Sequence, residues 1–379
     1  MNLGLKGKIE SIHRELQVIR AGNLLPKESK GSEVFMKVGK KDISFLEYLT
    51  AAFPEGCGKG GEFDIQHLYN ELGVNPNLMT VSQLIDLDQD SRWLVPEIFR
   101  DAIRKGLRTS PFYNKLIIGN ETVAQPQVNM PYIDLSDAEP VETEEAESAS
   151  KGTISYGNKT VKIMKQTMGI NITYEAIQYT SINLLTIFIQ DIGIKLGQKL
   201  NTALINILIN GDQEDGSESA AVVGVNNTTT GVLYKDFLYG WIRGSRLGRQ
   251  YSSIIAGEVM ANKILELSEF KQKQQGTPLQ NIVVNETLPN QSQLYVSAQV
   301  PASKMIALDP KFAAVQLTSA PLLVEGDKLV SKQIQETVAS ITTGFANVFR
   351  DARYVLDESL VNAYDGATND FPSYMTPTL

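Results

Sequence analysis

Two histidines, His13 and His67, are the only side chains in this 379-residue sequence that ordinarily titrate near neutral pH. A Ser-His-Asp triad would have to use one of them as its base. They stand far apart, without His-x-x-x-His spacing, and the single cysteine, Cys57, cannot form a Cys-x-x-Cys pair, so a zinc ligand set is missing. His67 in Gln66-His67-Leu68-Tyr69 reads as an ordinary residue on a helix surface. Gly56-Cys57-Gly58-Lys59-Gly60-Gly61 lacks the G-x-x-x-x-G-K-[ST] spacing of a phosphate loop and no strand feeds it. Asp212-Gln213-Glu214-Asp215-Gly216 lacks the alternating acids and closing Glu of a calcium loop. Arg243, Arg246 and Arg249, three apart, could meet a neighbour's carboxylates or an anionic ligand, or form a solvated helix face. Lys311, Lys328 and Lys332 are too sparse for a nucleic-acid patch. The expectation is a protein that is not an enzyme, with no catalytic, cofactor-binding or metal-binding residues.

The chemistry that remains is charge pairing. Asp134, Asp137, Glu139, Glu142, Glu144, Glu145 and Glu147 form an acidic arm, and Lys151, Lys159, Lys162 and Lys165 follow on a basic return arm. Glu142, Glu144, Glu145 and Glu147 are expected to face basic groups of an adjacent subunit. Lys159, Lys162 and Lys165 are expected to face carboxylates of another. The bland alternative is a solvated acidic loop, since blocks of like charge usually stay in water. A two-armed charged loop attached to a long helix suits a protein that grips neighbours.

The elements that must hold these arms are legible in the apolar spacing. Ile154 and Tyr156, Val161 and Ile163, then Met168, Ile170 and Ile172 alternate at period two, so residues 153–172 read as strand, and the two arms as a long hairpin or ordered loop. Leu185, Ile189, Ile192, Leu196, Leu200, Ala203 and Ile207 recur at fours and threes. They predict a buried helix of roughly 27 residues and 40 Å, capped by Asn183 and stopped at Asn210-Gly211-Asp212. Gly193 and Gly197 weaken it by roughly 1 kcal/mol each relative to Ala, and would permit a bend or a close neighbour. Upstream, Pro96 suits the first turn of a helix ended by Ser110-Pro111-Phe112, and residues 116–128 suggest a strand pair broken near Gly119-Asn120. Downstream, 236–246 and 256–272 read as helices. Residues 282–284, 294–296, 303–308, 314–317, 333–341 and 345–348 read as strands, with a hairpin turn at Gly326-Asp327.

Residues 1–90 are different in kind. Leu5, Ile9, Ile12, Leu16 and Ile19 make a two-heptad stripe ended by Gly22. Short helices fit 45–49 and 65–72, and the glycine-rich 54–61 is a flexible connection. The segment reads as an arm or a removable helper. The tail, 362–379, reads as polar and peripheral.

Composition excludes several classes. With 35 basic against 43 acidic residues the net charge is -8, which gives no general reason to hold DNA or an anionic membrane. The most apolar window, 182–209, carries Gln190, Asp191, Lys195, Gln198, Lys199 and Asn201, too many polar groups for a bilayer span. One cysteine permits no intramolecular disulfide and suits a reducing compartment. The N-terminus has no signal-peptide pattern.

The order of these parts resembles the major capsid protein of tailed bacteriophages with the Hong Kong 97-type fold. Trp93-Leu94-Val95-Pro96-Glu97-Ile98 followed by Ser110-Pro111-Phe112 resembles the entry into a peripheral domain. The charged stretch resembles the extended loop. Thr173-Tyr174-Glu175-Ala176-Ile177 and the long helix to Gly211 resemble the spine helix. Thr337–Asp357, with Phe345 and Asp351-Ala352-Arg353, resembles the closing strands. Order and spacing, over about 91–360, carry the likeness.

The resemblance implies an α+β fold with an N-terminal arm or fused scaffold-like segment at 1–90 and the first part of the peripheral domain at 91–130. It places the extended loop at 131–172 and the peripheral domain with its spine helix at 173–221. An axial domain at 222–328, then closing strands and tail at 329–379, complete it. It implies hexamers and pentamers that tile an icosahedral shell around double-stranded DNA, which is contacted weakly and non-specifically. Its partners would be copies of itself, together with portal, scaffolding or decoration proteins, and no membrane. The particle would assemble in the host bacterial cytoplasm and the protein would reside in the virion. Encapsulin-like compartments, which enclose enzyme cargo, share the fold and stand as the alternative; the 90-residue leader and the acidic loop favour the phage. Some members weld subunits by a Lys–Asn isopeptide bond promoted by a Glu. Here Glu336, Thr342 and Thr343 occupy that region, so no cross-link is expected. The leader suits either a cleaved scaffold or a retained arm, and retention is expected.

Overall fold

The computed structural model describes residues 45–52, 69, 75–83, 94–109, 112–125, 127–134, 153–212, 219–226, 231–246, 248–267 and 292–361. In chain order the helices are α1 (Phe45–Ala52), α2 (Leu94–Thr109), α3 (Tyr174–Tyr179), α4 (Ile182–Asn210), α5 (Tyr234–Arg246) and α6 (Glu258–Leu265). The strands are β1 (Asn120–Thr122), β2 (Gln127–Asp134), β3 (Thr153–Lys162), β4 (Met164–Thr173), β5 (Ala221–Val225) and β6 (Ser253–Ala256). They continue with β7 (Gln293–Val296), β8 (Lys304–Leu308), β9 (Ala314–Leu329), β10 (Ile334–Asn347) and β11 (Arg353–Val361). They form a four-stranded sheet in the order β1-β9-β10-β4, a five-stranded sheet β5-β11-β8-β6-β7, and the two-stranded ribbon β2-β3. The α+β class expected from the sequence is what the chain adopts. The heptad stripe at 5–19, both histidines, the glycine-rich linker, strand 282–284 and the tail lie outside the described residues.

The chain divides into two compact units. One is drawn from Met1–Ser110, Thr167–Gly197 and Leu323–Ser340. Its helices are built on α2, whose Ile98, Phe99, Ala102 and Ile103 are all buried, and on the first half of α4. Gly106 of α2 lies against the backbone of Gln190, and Gly193 of α4 against the carbonyl of Ile103. A Cβ on Gly106 would also stand 3.0 Å from Gly193 Cα, and one on Gly193 would stand 2.8 Å from the Leu107 nitrogen. Two helices meet backbone to backbone only where both lack side chains. The close neighbour that Gly193 was expected to permit is therefore α2.

In the same unit Thr173 caps α3, its Oγ1 accepting from the Ala176 N–H at 3.3 Å. Ser181 Oγ accepts from the Leu184 N–H at 3.4 Å at the start of α4. The expected cap, Asn183, lies inside the helix instead, and its Nδ2 donates to Asn77 Oδ1 at 2.9 Å. The N–H groups of Ile182 and Asn183 donate to the Met79 and Pro76 carbonyls, so segment 75–81 satisfies the open first turn.

The other unit is drawn from Pro111–Gln166, Gln198–Leu322 and Ile341–Leu379. α4 runs 29 residues, about 43 Å at 1.5 Å per residue. Its end is the expected one: Gly211 takes φ 85° and returns its N–H to the Ile207 carbonyl. Beyond Leu200 the buried apolar positions are Leu204, Ile205 and Leu208, not the expected Ala203 and Ile207. Steps of four from Leu196 onward rotate the stripe around the helix, which the 3.6-residue turn permits.

The five-stranded sheet forms the larger core of this second unit. Ile254, Ala256, Met305, Ala307, Tyr354 and Leu356 from its strands pack with Phe237 of α5 and Met260 and Ile264 of α6. α5 sits close because Gly240 lies on the Tyr354 ring and Gly244 on the Tyr251 ring, the two rings meeting edge to face at 4.9 Å. Asp236 caps this helix from within by accepting from the Leu233 N–H at 2.7 Å. The helix expected over 256–272 is shorter: it begins only at Glu258, after β6, and ends at Leu265.

The strand pair expected at 116–128 is not a hairpin. β1 runs parallel to β9, with Glu121 opposite Leu317, while β2 pairs with β3. The turn expected at Gly326-Asp327 falls inside β9. The reversal comes at Val330–Lys332 and Gln333, which takes φ 54°.

Candidate assembly surfaces

The alternation over 153–172 divides at Ile163 into two strands that belong to different sheets. β3 returns antiparallel to β2 over eight residue pairs, from Gln127 opposite Lys162 to Asp134 opposite Thr153. Their register shifts between Met130 and Pro131. Proline has no N–H to offer a ladder, so it is placed beside this irregularity.

The root of the ribbon is anchored. Val161 and Ile163 are buried with Val315, Leu317 and Ala346, and Val128 packs against them. Gly344 admits this junction, since a Cβ there would stand 3.0 Å from the Lys162 carbonyl oxygen. Among the described residues, β2 and β3 pair only with each other. The ribbon is thus fixed to a core at one end and joined at the other by residues 135–152, which carry the acidic run.

Of the residues expected to contact other subunits, Glu142, Glu144, Glu145 and Glu147 lie outside the described residues. Lys159 stands on β3 opposite Met130, and Lys162 opposite Gln127. Lys162 and Lys165 are exposed, the first on the ribbon and the second on β4 of the four-stranded sheet. The basic arm is therefore divided between two sheets and is not a single row of charge.

The arginine triplet resolves differently from its sequence reading. α5 ends at Arg246, and Arg249 lies beyond it. Arg243 stacks over the Tyr239 ring at 5.2 Å. Arg249 donates from Nε and Nη2 to the two Asp351 oxygens at 2.8 and 3.1 Å. Its guanidinium also lies 4.5 Å from the Phe312 ring centre and 4.8 Å from that of Phe349. This is an internal clamp, not a ligand site. Only a planar fork can satisfy both oxygens while stacked. Arg249→Lys is therefore expected to lower unfolding stability by about 1–2 kcal/mol, measured by urea denaturation of the subunit; an unchanged midpoint would contradict the clamp.

Thr343, in the region where a cross-linking partner was sought, is buried. It accepts from Gln316 Nε2 at 3.0 Å and donates to the Leu317 carbonyl at 3.0 Å. Asp357 illustrates the local electrostatics of β11. Burial pushes its carboxyl up, but the Ser359 hydroxyl and N–H and the Lys304 ammonium offset this and hold it below its ordinary value. Its contribution to stability is present above the unfolded-state value and lost as pH falls through the folded one.

One feature of α4 escapes the sequence reading of a buried helix. Leu184, Ile187 and Phe188 are exposed on a face that flanks the buried stripe of Leu185, Ile189 and Ile192. The signal was present: from Ile182 to Ile189 only Asn183 and Thr186, three apart on one face, are not strongly apolar, so the apolar arc is wider than a single core-facing stripe. Among the described residues, no helix is long and apolar enough to cross a membrane and no group of three or more His, Cys, Asp or Glu could hold a metal ion.

The sequence matches the phage capsid protein family over residues 157–357, more than half of its length, and the chain belongs to that family. No curated protein sequence matches it. Among solved structures, the virus-like particle from Pyrococcus furiosus covers 69% of this chain and 98% of its own at 10% identity and TM-score 0.48. The capsid of the cyanophage P-SCSP1u covers 65% and 88% at 11% identity and TM-score 0.47. The holo-SrpI encapsulin complex from Synechococcus elongatus covers 68% and 90% at 13% identity and TM-score 0.45. Scores at this level do not themselves establish a shared fold.

Family membership and the order of parts, a long helix, a two-stranded ribbon, two sheets and closing strands, meet the recognition of a tailed-phage major capsid protein of Hong Kong 97 type. The chain is a structural shell protein that associates with copies of itself and is a component of a virion.

Proposed function

We propose that this chain forms hexamers and pentamers that close into an icosahedral shell around double-stranded DNA, assembled in the cytoplasm of the host bacterium. The observation that carries the reading is the β2-β3 ribbon, rooted in a buried cluster and carrying the most charged segment of the chain. Such a ribbon serves contact with other copies better than the folding of its own subunit. Each contact in a closed shell can be weak, because neighbours already in place raise the effective concentration of the next. Surface ion pairs contribute only about 0–1 kcal/mol each, so several are needed together.

In this reading Glu142, Glu144, Glu145 and Glu147 face cations of one neighbour, while Lys159, Lys162 and Lys165 face carboxylates of another. Residues 91–130, 173–221 and 329–379 serve as the peripheral domain and 222–328 as the axial domain. The net charge of -8 suits an inner wall that must not trap the genome. Residues 1–90 serve as a retained arm, and portal, scaffolding or decoration proteins are the further partners.

Reversing Glu142, Glu144 and Glu145 to Lys tests the reading. The variant subunit should keep its circular dichroism and lose particle yield by at least tenfold, scored by sedimentation and negative-stain microscopy. Normal yield would remove the arm from the assembly mechanism. Copurifying enzyme cargo without nucleic acid would replace the phage reading with the compartment one.

A further inference from the structure

We infer that the outer face of the first two turns of α4 is a contact with a second copy of this chain, separate from the charged arms. The inference rests on the shell reading above and adds to it a surface that no charge marks.

The face is well defined. Leu184, Ile187 and Phe188 are 46%, 54% and 56% exposed, and their spacing of three and four puts them on one side of the helix. Leu78, 79% exposed, belongs to the segment tied to the start of this helix by the Asn77–Asn183 hydrogen bond and by the backbone bonds from Ile182 and Asn183 to Met79 and Pro76. The rest of the helix surface is occupied. Leu185, Ile189 and Ile192 face the core, and Gln190 and Gly193 face α2. The apolar arc of these two turns is wider than one core-facing stripe: its Leu185, Ile189 and Ile192 side is covered, and its Leu184, Ile187 and Phe188 side is open.

The surroundings indicate a protein occupant. One and two turns further along the same face stand Asp191 and Lys195, an exposed ion pair at 2.8 Å. An apolar centre with a rim carrying both signs has the anatomy of a protein interface. It offers no excess of positive charge to a phosphate backbone. The exposed area of Leu184, Ile187 and Phe188, on the order of 300 Å2, reaches the size of the largest patches on monomers, which are often functional. For a capsid subunit, whose shell is made of copies of itself, a second copy is the partner always present.

The test uses Ile187→Cys in a Cys57→Ser background, so that one thiol remains, and follows its reaction with a maleimide. The thiol should react readily in dissociated subunits and at least tenfold more slowly in shells. Equal rates in subunits and shells would overturn the inference. Protection already present in the lone subunit would also overturn it, and would assign the cover to another part of the same chain. The companion variant, Ile187→Glu with Phe188→Glu, should keep subunit circular dichroism and lose shell yield at least tenfold; undiminished yield contradicts the proposal. If the unmodified chain makes no shells, the functional reading falls first, a result distinct from shells that form with this face open.

Discussion

Gly193→Ala is expected to destabilise the subunit by about 3 kcal/mol, the upper end of ordinary overpacking costs. Helix propensity alone argues the opposite sign, since Ala is favoured over Gly by about 1 kcal/mol in a helix interior. The crossing with α2 decides the outcome. A methyl at 193 would meet the Ile103 carbonyl, the Leu107 nitrogen at 2.8 Å and Gly106 Cα at 3.0 Å. All three are backbone, and backbone cannot rotate aside as a side chain can. Gly106→Ala should behave alike, because its methyl would meet the Gln190 carbonyl. The double variant should cost less than the two single losses added, because helices already separated by one methyl leave room for the other. Urea denaturation of all three subunits measures this. A stabilised Gly193→Ala would show that the helices do not meet in this way.

The second large effect is expected at Arg353. Its side chain is fully buried, with Nε donating to the Leu208 carbonyl at 2.9 Å and Nη1 to the Phe349 carbonyl at 3.4 Å. The Leu208 carbonyl belongs to the last turn of α4, where no further helical N–H is available and where the helix dipole favours a cation. Arg353→Leu fills part of the volume but leaves these carbonyls without the guanidinium. A loss of about 3 kcal/mol is expected, from hydrogen bonds to a charged donor worth about 1.5–3 kcal/mol and the carbonyls left buried. Thermal unfolding of the subunit checks it, and a shift within error would mean that the arginine is not what closes the end of α4.

These two cases show what the sequence could and could not convey. Gly193 was legible as a position for a close neighbour because glycine inside an apolar helix is costly without a reason. Its partner, Gly106, was not, because nothing local links residues that far apart. The stop at Gly211 was legible from local chemistry, and so were the strand alternation around 153–172 and two strands of the five-stranded sheet, β7 and β8. Asn183 looked like the cap of α4 by residue type, yet Ser181 stands where the backbone first turns. Gly326-Asp327 looked like a hairpin turn, but β9 continues through it. Pairing was the least legible property: β1 joins β9 across nearly two hundred residues, which periodicity cannot encode.

The assembly surfaces divide the same way. Charge clustering drew attention to the arms; the ribbon carries Lys159 and Lys162, while Lys165 stands on β4 of the four-stranded sheet. Arg249 was legible as a cation that wants a carboxylate, but the carboxylate is Asp351 of its own chain. The apolar face of α4 was hidden by a sound rule wrongly extended. An apolar run longer than one face was taken to be buried within its own subunit, whereas a shell subunit can complete its burial with a copy.

Closure into shells with copies of itself is the property on which the proposed function of this chain stands. Electron microscopy of the purified full-length protein, alone and co-expressed with the other head proteins, tests it most directly. Closed particles of uniform diameter, in which the 182–188 segment is covered by an adjacent subunit, are the expected result. Lone subunits at every concentration and salt, with or without those proteins, would contradict it.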